Sequence, residues 1–262
     1  MKTRIAVNAA SGKMGQQVIG HSTTHPKAVL SAAFCRPNHR LLGRQVGFKN
    51  VLYSSDFEAG LAKSDVVIDF SLPAATENLL KFALAAKKPV LIGTTGFTPQ
   101  QIDTIKLAAL KIPVLLTPNT SIGVNSMMIL LTEAAKMLGR NADIEIIETH
   151  HKHKVDAPSG TALRMGQAIS ETLGQDFDTI KATDSRFEKR SRKSGEIGIS
   201  SVRAGEIVGE HQVLFALDNE TISIKHTAHN RHCFAEGAVA AAIWLARQTA
   251  GFYSMEDFVS GR

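Results

Sequence analysis

Cysteine is scarce in this chain of 262 residues: Cys35 and Cys233 stand far apart, and no CxxC motif occurs. That scarcity excludes a small fold built on disulfides and a cysteine-rich zinc site. Long apolar runs are missing too, since no stretch approaches the roughly 18 residues that a membrane-spanning helix needs. The apolar run after Met1–Arg4 is too short for the core of a signal peptide. We therefore expect a cytoplasmic protein with no membrane partner.

Aromatic residues make up only 6% of the chain, whereas lysine and arginine outnumber the acids and give a formal charge of +6. A basic chain favours anionic partners. Helix-turn-helix and RNP-like motifs, which mark many nucleic-acid binders, are absent from the sequence. Residues 1–121 hold 14 lysines and arginines against 6 acids, while residues 122–230 hold 13 against 15. The excess lies in the first part of the chain, and we expect small anionic ligands and no nucleic acid.

The first half of the chain alternates short, continuous apolar runs with amphipathic runs. Helices are predicted after residue 12, over 74–86 and over 99–110, and strands at 4–7, 28–34, 65–70, 89–92 and 113–116. Uninterrupted apolar strands separated by helices are typical of a parallel sheet covered on both faces. The predicted fold class is therefore α/β, with an N-terminal doubly wound parallel sheet.

The pattern changes near residue 121, where a long helix over 124–138 carries Met127, Leu130, Leu131 and Ala134 on one face. A helix over 159–173 follows, with strands at 144–149, 197–202, 211–217 and 221–226. Because these strands succeed one another without helices, they predict a smaller α+β domain with a mixed or antiparallel sheet.

Two further segments complete the predicted organisation. The charged, aperiodic segment 181–193 is expected to be a loop. The apolar helix 233–249 is expected to pack back on the first domain, whose sheet needs cover on both faces. The predicted domain boundaries are therefore 1–121, 122–230 and 231–262.

A small-residue turn, Ala9–Gly12, joins the first strand to the first helix. In this order the elements form the start of a dinucleotide-binding unit, where a helix N-terminus meets a pyrophosphate. The usual spacing is G-x-G-x-x-G, but Ala9 and Ser11 occupy the first two positions, followed by Gly12 and Gly15. A tight turn without a ligand is the alternative explanation. Two more turns, 93–96 and 117–120, follow predicted strands at the sheet edge where ligands bind.

The end of the second strand selects between NAD and NADP in such domains, because an acid binds the ribose 2′-hydroxyl and an arginine accommodates a 2′-phosphate. This chain has Cys35 and Arg36 there, and no acid stands between residues 28 and 50. We predict NADPH as the preferred cofactor and NADH as a second one, with a solvated basic loop as the alternative.

The segment ETHHKHKVDAPSGTA, residues 148–162, is the most informative stretch, because it groups three histidines with two lysines just after a predicted strand. On an extended backbone His150, Lys152 and Lys154 would share one face. No metal is predicted, because adjacent histidines point apart and lysine repels a cation; a solvated basic loop is the other alternative. Histidine and lysine suit proton transfer and carboxylate binding. Ser159–Thr161 then opens a helix with an anion cradle, so a substrate with carboxylates is predicted.

With GTTGF at 93–97, SIGVN at 121–125 and VRAGEIVGEH at 202–211, this segment closely resembles the 4-hydroxy-tetrahydrodipicolinate reductase family, also called dihydrodipicolinate reductase. The resemblance covers essentially the whole chain. It implies a Rossmann domain completed by the C-terminal helix, and a substrate domain that forms a homotetramer. It also implies reduction of (2S,4S)-4-hydroxy-2,3,4,5-tetrahydrodipicolinate with NADH or NADPH and loss of water, in diaminopimelate and lysine biosynthesis.

Position by position, the resemblance implies that His150 donates and accepts a proton and that Lys154 donates one. Substrate binding is expected at His151, Ser159, Gly160 and Thr161. Cofactor binding is expected at Ala9, Ala10, Ser11, Gly12, Lys13, Met14, Arg36, Gly93, Thr94, Thr95, Thr117, Pro118, Asn119 and Thr120. Ala9 departs from the family's glycine, and Cys35 replaces the acid of NADH-using members. The alternatives are another Rossmann oxidoreductase acting on an amino-acid-like carboxylate, and a non-enzymatic NADPH-sensing regulator.

Overall fold

The structure is a computed structural model that describes residues 1–47, 50–139, 141–183 and 190–261. The chain divides into two compact units, one formed by Met1–Ile122 with His232–Arg262 and the other by Gly123–Arg231. Among the described helices, none is long and apolar enough to cross a membrane.

The first unit is built on a parallel sheet, of which seven strands fall within the described residues. They are β1 (Thr3–Asn8), β2 (Ala28–Phe34), β3 (Tyr53–Ser54), β4 (Val66–Asp69), β5 (Val90–Ile92), β6 (Pro113–Leu116) and β12 (Gly251–Tyr253). Their order is β12-β6-β5-β4-β1-β2-β3, and every neighbouring pair is parallel. The predicted parallel sheet is confirmed. The sequence patterns missed β3 and β12, which are too short to show a periodic signal.

Helices cover both faces of this sheet. They are α1 (Lys13–Thr24), α2 (Phe57–Ala62), α3 (Pro73–Ala86), α4 (Pro99–Ala109), α8 (His232–Leu245) and α9 (Met255–Ser260). Side chains alternate between the faces, so Ile5 and Val7 join one apolar cluster with α1 and α8, while Ala6 joins a second cluster with α3 and α4. In the structure α8 packs against this sheet in the same apolar cluster as α1. Gly237 permits this packing, because a Cβ there would overlap the Thr120 carbonyl oxygen.

The second unit contains a mixed sheet and three helices within the described part of the chain. The strands are β7 (Asp143–His150), β8 (Lys181–Thr183), β9 (Ile197–Arg203), β10 (Gly209–Ala216) and β11 (Thr221–Ala228), and the helices are α5 (Ile122–Leu138), α6 (Gly160–Leu173) and α7 (Phe177–Ile180). The order is β11-β10-β7-β9-β8, antiparallel on the β10 side of β7 and parallel on the β9 side. A mixed sheet is therefore confirmed.

Three local expectations need correction. Leu130 is 56% exposed and does not share the buried face of Met127, Leu131 and Ala134. Lys181–Thr183 is a strand rather than part of a loop, because it pairs with β9; residues 184–189 of that predicted loop lie outside the described residues. The helix predicted to reach residue 249 ends at Leu245.

Candidate active site

A cavity of about 700 Å³ opens in the first unit around the end of β1. Its walls come from the turn after β1, the segment after β2, and the N-terminal part of α3. The lining residues are Asn8, Ala9, Ser11, Gly12, Cys35, Arg36, Pro37, His39, Ser55, Phe57, Phe70, Ser71, Leu72, Ala75, Asn78 and Phe82. Ligands of parallel α/β sheets bind at this carboxyl edge, so the cavity is the candidate cofactor site.

The turn after β1 presents the N-terminus of α1 to this cavity. Gly12 is the N-cap residue and has no side chain that could bond the first amides of the helix. Gly15 lies so close to the turn that a Cβ would collide with the Ala9 carbonyl oxygen. The turn therefore presents a helix N-terminus, a position that favours anions, directly behind a short, tight loop.

Ala9 adopts a left-handed backbone conformation, with φ at +52°. Glycine reaches this region without steric cost, whereas an L side chain is strained there. Ala9 therefore replaces the family's glycine at a position where glycine would adopt the backbone conformation without strain. Ala10 is fully buried and is not among the described residues of the cavity lining.

The segment after β2 sets the charge of the cavity wall. Arg36 lines it, and no acidic residue occurs among the described residues of the lining. Cys35 is buried, and burial raises the pKa of its thiol, so the group stays uncharged. His39 and Ser55 also face this end. Sequence reasoning did not single them out, because the residues around β3 show no periodic pattern.

A buried carboxylate joins the remaining cofactor turns. Asp69, at the end of β4, accepts hydrogen bonds from Asn8 Nδ2 (2.8 Å), Thr76 Oγ1 (2.5 Å) and Thr94 Oγ1 (3.0 Å). It ties the ends of β1 and β4 to the turn after β5. The sequence did carry a signal for this residue, since Asp69 continues the apolar run of β4.

The hydroxyls of the predicted cofactor turns are mostly engaged within the protein. Thr94 is bound to Asp69, Thr117 Oγ1 donates to the Asn119 carbonyl (2.8 Å), and Thr120 Oγ1 donates to the Phe234 carbonyl (2.7 Å). All three threonines are buried. Gly93, Thr95, Pro118, Lys13 and Met14 lie on the same segments but outside the described cavity lining.

In the second unit, Glu148 bonds one of the two predicted catalytic residues, His150, whereas Lys154 bonds Asp156. The Glu148 side chain is fully buried and continues the face of Ile144 and Ile146 on β7. One carboxylate oxygen is 2.5 Å from His150 Nδ1 and accepts from Arg203 (2.9 Å). The other accepts from Arg203 (2.6 Å) and from the Ser159 amide (3.1 Å).

The register of the mixed sheet places these groups together. His211 lies opposite Glu148 in β10, and Arg203 lies beside His150 in β9. The His150 and His211 rings pack edge to face with centroids 5.2 Å apart. Sequence reasoning missed Glu148, Arg203 and His211. The alternation of Ile144, Ile146 and Glu148 was the available signal, because a carboxylate on a buried face requires partners.

The chain after His150 is a turn, so the extended backbone assumed for residues 150–154 is wrong. The strand ends at His150, and the Lys154 amide donates to the His151 carbonyl (3.1 Å). The Lys152 amide donates to the Gly205 carbonyl (3.1 Å), which ties this turn to the loop between β9 and β10. Strand alternation therefore does not decide which of these side chains share a face.

Lys154 and His151 occupy different surroundings in this turn. The Lys154 ammonium lies 2.8 Å from both carboxylate oxygens of Asp156, and this bond holds the pKa of Asp156 below its usual range. The His151 ring packs near the exposed His153 ring, with centroids 6.2 Å apart. Within the described residues, no group of three histidine, cysteine or acidic side chains is placed to hold a metal ion.

The predicted anion cradle is the N-terminus of α6. Ser159 is its N-cap, and the Ser159 hydroxyl accepts from the Ala162 amide (3.2 Å) and bonds His211 Nε2 (3.2 Å). That hydroxyl is buried and engaged. Gly160 is exposed, and a Cβ there would meet no described atom within 4 Å. The open part of the cradle is therefore at Gly160.

Two pKa shifts follow from this packing. Burial raises the pKa of Glu148, but hydrogen bonds from His150, Arg203 and Ser201 outweigh it, so the pKa lies well below its usual range. Burial, reinforced by the charge of His150, lowers the pKa of His211 to about 4. At neutral pH the cluster therefore holds a charged carboxylate beside an uncharged His211.

The matches to known protein families follow the division of the chain into two units. Residues 3–120 match the family described as dihydrodipicolinate reductase, N-terminus, and residues 123–259 match dihydrodipicolinate reductase, C-terminus. The 4-hydroxy-tetrahydrodipicolinate reductase of Ralstonia pickettii (strain 12J) is 44% identical over 97% of this chain and 98% of its own length.

Solved structures show the same architecture. The dipicolinate-bound dihydrodipicolinate reductase from Paenisporosarcina sp. TG-14 superposes with a TM-score of 0.81 at 28% identity, over 97% of this chain and 98% of its own. The DAP dehydrogenase of C. glutamicum, in complex with DAP, has a TM-score of 0.56 at 14% identity, over 98% and 93% of the two chains. This second likeness shows the fold alone.

Replacing Ala9 with glycine tests the strain in the cofactor turn. The left-handed conformation costs an L residue about 1–2 kcal/mol, while glycine loses about 0.5–1 kcal/mol more entropy on folding. We expect Ala9→Gly to stabilise the protein by roughly 0.5–1 kcal/mol in urea unfolding. Ala74→Gly, in ordinary helical backbone of α3, should be destabilising. Equal losses for both variants would contradict the strain at Ala9.

The low pKa of His211 predicts an acid-sensitive stability. The unfolded chain takes up a proton near pH 6.5, whereas the folded protein does so only near pH 4. The contribution of His211 to the free energy of unfolding is therefore fully present above pH 6.5 and decreases as the pH falls toward 4. We expect His211→Asn to remove on the order of 2 to 3 kcal/mol of the loss between pH 7 and about pH 4.5.

Urea unfolding at several pH values measures this difference. The exposed His153 offers a matched control, and His153→Asn should keep the acid sensitivity of the unsubstituted protein. The same pH slope in His211→Asn and the unsubstituted protein would show that His211 is not the group concerned.

Proposed function

The chain belongs to the dihydrodipicolinate reductase family, and on that premise we propose that His150 and Lys154 transfer protons while the N-terminus of α6 binds the substrate carboxylates. The enzyme reduces 4-hydroxy-tetrahydrodipicolinate with a pyridine nucleotide in diaminopimelate and lysine biosynthesis. This sets aside both an oxidoreductase for another substrate and a non-enzymatic regulator. One observation carries the proposal: Glu148 bonds both His150 and the Ser159 amide.

The reaction consumes one proton in each turnover. A hydride replaces the 4-hydroxyl group, and the departing hydroxyl takes up a proton and leaves as water. A bound nicotinamide supplies the hydride. An imidazole can give up and regain a proton at neutral pH, which suits His150, whose side chain is 12% exposed. Lys154 adds an ammonium that can donate a proton or neutralise a carboxylate.

Substrate carboxylates fit the start of α6. The partial positive charge of a helix N-terminus and its free amides favour an anion. Because the Ser159 hydroxyl is occupied by the cap and by His211, Ser159 contributes through its position, and Gly160 and Thr161 face the substrate. His151 supplies a further polar contact. We therefore assign carboxylate binding to Gly160, Thr161 and His151, with Ser159 supporting them.

The first unit fits a dinucleotide, and its charges favour NADPH. The α1 N-terminus and the tight turn before it suit the pyrophosphate. Arg36 lies where a 2′-phosphate is recognised, and the uncharged Cys35 replaces an acid that would bind a 2′-hydroxyl. NADPH is therefore the proposed preferred cofactor, and NADH a second one.

We also propose a homotetramer built through the mixed sheet. Buried residues of α5 and α6 pack on the face that carries Ile144 and Ile146, while the opposite face presents Ile147, Leu214 and the 42% exposed Val202. Apolar side chains on a sheet face favour an association of identical surfaces. Analytical ultracentrifugation of the purified protein tests this assembly.

Substitution of His150 tests the proton-transfer assignment. We expect His150→Ala to lower kcat by ~10²–10⁴ while the KM for NADPH changes little, as for loss of a general acid. The assay generates the unstable substrate from pyruvate and aspartate semialdehyde with the preceding aldol synthase and follows NADPH oxidation. His153→Ala is the matched control, because His153 is an exposed histidine of the same turn. An unchanged kcat in His150→Ala would refute the assignment.

Substitution of Arg36 tests the cofactor preference. We expect Arg36→Ala to raise the KM for NADPH by about tenfold and leave the KM for NADH nearly unchanged, because only NADPH carries the 2′-phosphate. Parallel assays with both cofactors measure the ratio. Arg44→Ala controls for the general loss of one positive charge from the same loop. A KM for NADPH equal to that of the unsubstituted enzyme would count against the role of Arg36.

A further inference from the structure

We propose that Glu148 is a positioning residue for catalysis, which fixes the tautomer and the orientation of His150 so that proton transfer takes place at Nε2. This inference rests on the proposed function, in which His150 is a proton-transfer residue. It adds a residue that the sequence motifs did not single out.

The bonds of Glu148 determine where the proton of the shared hydrogen bond resides. Arg203 spans the carboxylate with contacts of 2.6 and 2.9 Å, and the Ser159 amide donates at 3.1 Å. This arrangement neutralises a fully buried charge, which would otherwise be costly. An ionised carboxylate only accepts hydrogen bonds. The proton between Glu148 and His150 therefore belongs to His150 Nδ1.

The other ring nitrogen is then the reactive one. With a proton on Nδ1, a neutral His150 has its lone pair at Nε2, so the proton that it gains or loses is the one at Nε2. A bond of 2.5 Å to Glu148 also limits rotation of the ring. A carboxylate that orients a catalytic imidazole in this way serves other enzymes that use histidine as a general base or acid.

The neighbouring strand leaves space for this ring position. Gly209 begins β10, and a Cβ at that position would lie 3.1 Å from His150 Nε2. The His211 ring packs against His150 edge to face and stays uncharged at neutral pH. Within the described part of the chain, the charged groups bonded at the Nδ1 side of His150 are Glu148 and, through it, Arg203.

A purely structural function of Glu148 makes different predictions. Most of its bonds involve Arg203, Ser201 and the start of α6, so a substitution could lower stability or weaken substrate binding without changing His150. If Glu148 positions His150, its substitution instead changes the tautomer of His150 and lowers kcat. The experiment therefore measures the tautomer and kcat as well as stability and KM.

The test uses the full-length enzyme and the isosteric variant Glu148→Gln. An amide can donate as well as accept, so the ring is free to carry its proton on Nε2. We expect kcat to fall by ~10²–10³, with the KM values for substrate and NADPH within about threefold. In ¹⁵N-labelled protein, long-range ¹H–¹⁵N correlations of the His150 ring should show Nδ1–H in the unsubstituted enzyme and Nε2–H in the variant. The spectrum of His150→Gln identifies the signal.

The control is Glu145→Gln. Glu145 also lies on β7 and pairs with an arginine, Arg192, but it is not among the described partners of His150. We expect its kcat to stay within about twofold of the unsubstituted enzyme. The tautomer of unsubstituted His150 needs no variant to fold, and a neutral ring protonated on Nε2 would overturn the inference.

The outcomes separate this inference from the proposed function. If His150→Ala keeps its kcat, the proton-transfer assignment fails and this inference fails with it. If His150→Ala loses activity while Glu148→Gln keeps both kcat and the Nδ1–H tautomer, only the positioning by Glu148 is overturned. A raised KM or lowered stability with unchanged kcat and tautomer shows a structural function and likewise overturns it.

Discussion

The buried carboxylate of Glu148 organises the active-site end of the second unit. A charge without exposure must be compensated by partners, and these partners come from three elements: Arg203 and Ser201 from β9, His150 from the end of β7 and the Ser159 amide from the start of α6. The compensation of one charge therefore brings the proposed proton-transfer group and the proposed anion cradle together. Arg203 also reaches the Asp156 carbonyl (2.6 Å), which extends the arrangement to the segment that carries Lys154.

The first unit also contains a buried carboxyl group that accepts several hydrogen bonds, but its donors are uncharged. Asp69 is fully buried and holds Asn8, Thr76 and Thr94, so the end of β1 and the turn after β5 are fixed relative to each other. The cofactor cavity opens beside this network, next to the strained Ala9. In both units a carboxylate at the end of a buried strand face positions the loops, while the loops themselves present groups to ligands.

Sequence patterns predicted the elements whose side chains repeat. The apolar runs at 28–34 and 113–116 coincide with β2 and β6, because strands buried on both faces need uninterrupted apolar residues. The residues from Tyr53 to Ala62 were missed, although Phe57 lines the cofactor cavity. A two-residue strand and a single short helix are too short to show a periodic pattern in the sequence. The pairing of β3 with β2 is formed only in the tertiary structure.

The sequence by itself determined the fold class, the order of the longer elements and the segment proposed to carry the chemistry, because burial imposes a periodic pattern and the histidine–lysine motif is long. Tertiary structure decided how that segment works. Alternation on a strand placed His150, Lys152 and Lys154 on one face, but bonds to the β9–β10 loop turn the chain after His150. Likewise, only the sheet register brings Arg203 and His211 beside Glu148 and His150. Hydrogen bonds between residues far apart in the chain leave no periodic trace, so they appear only once the strands are paired.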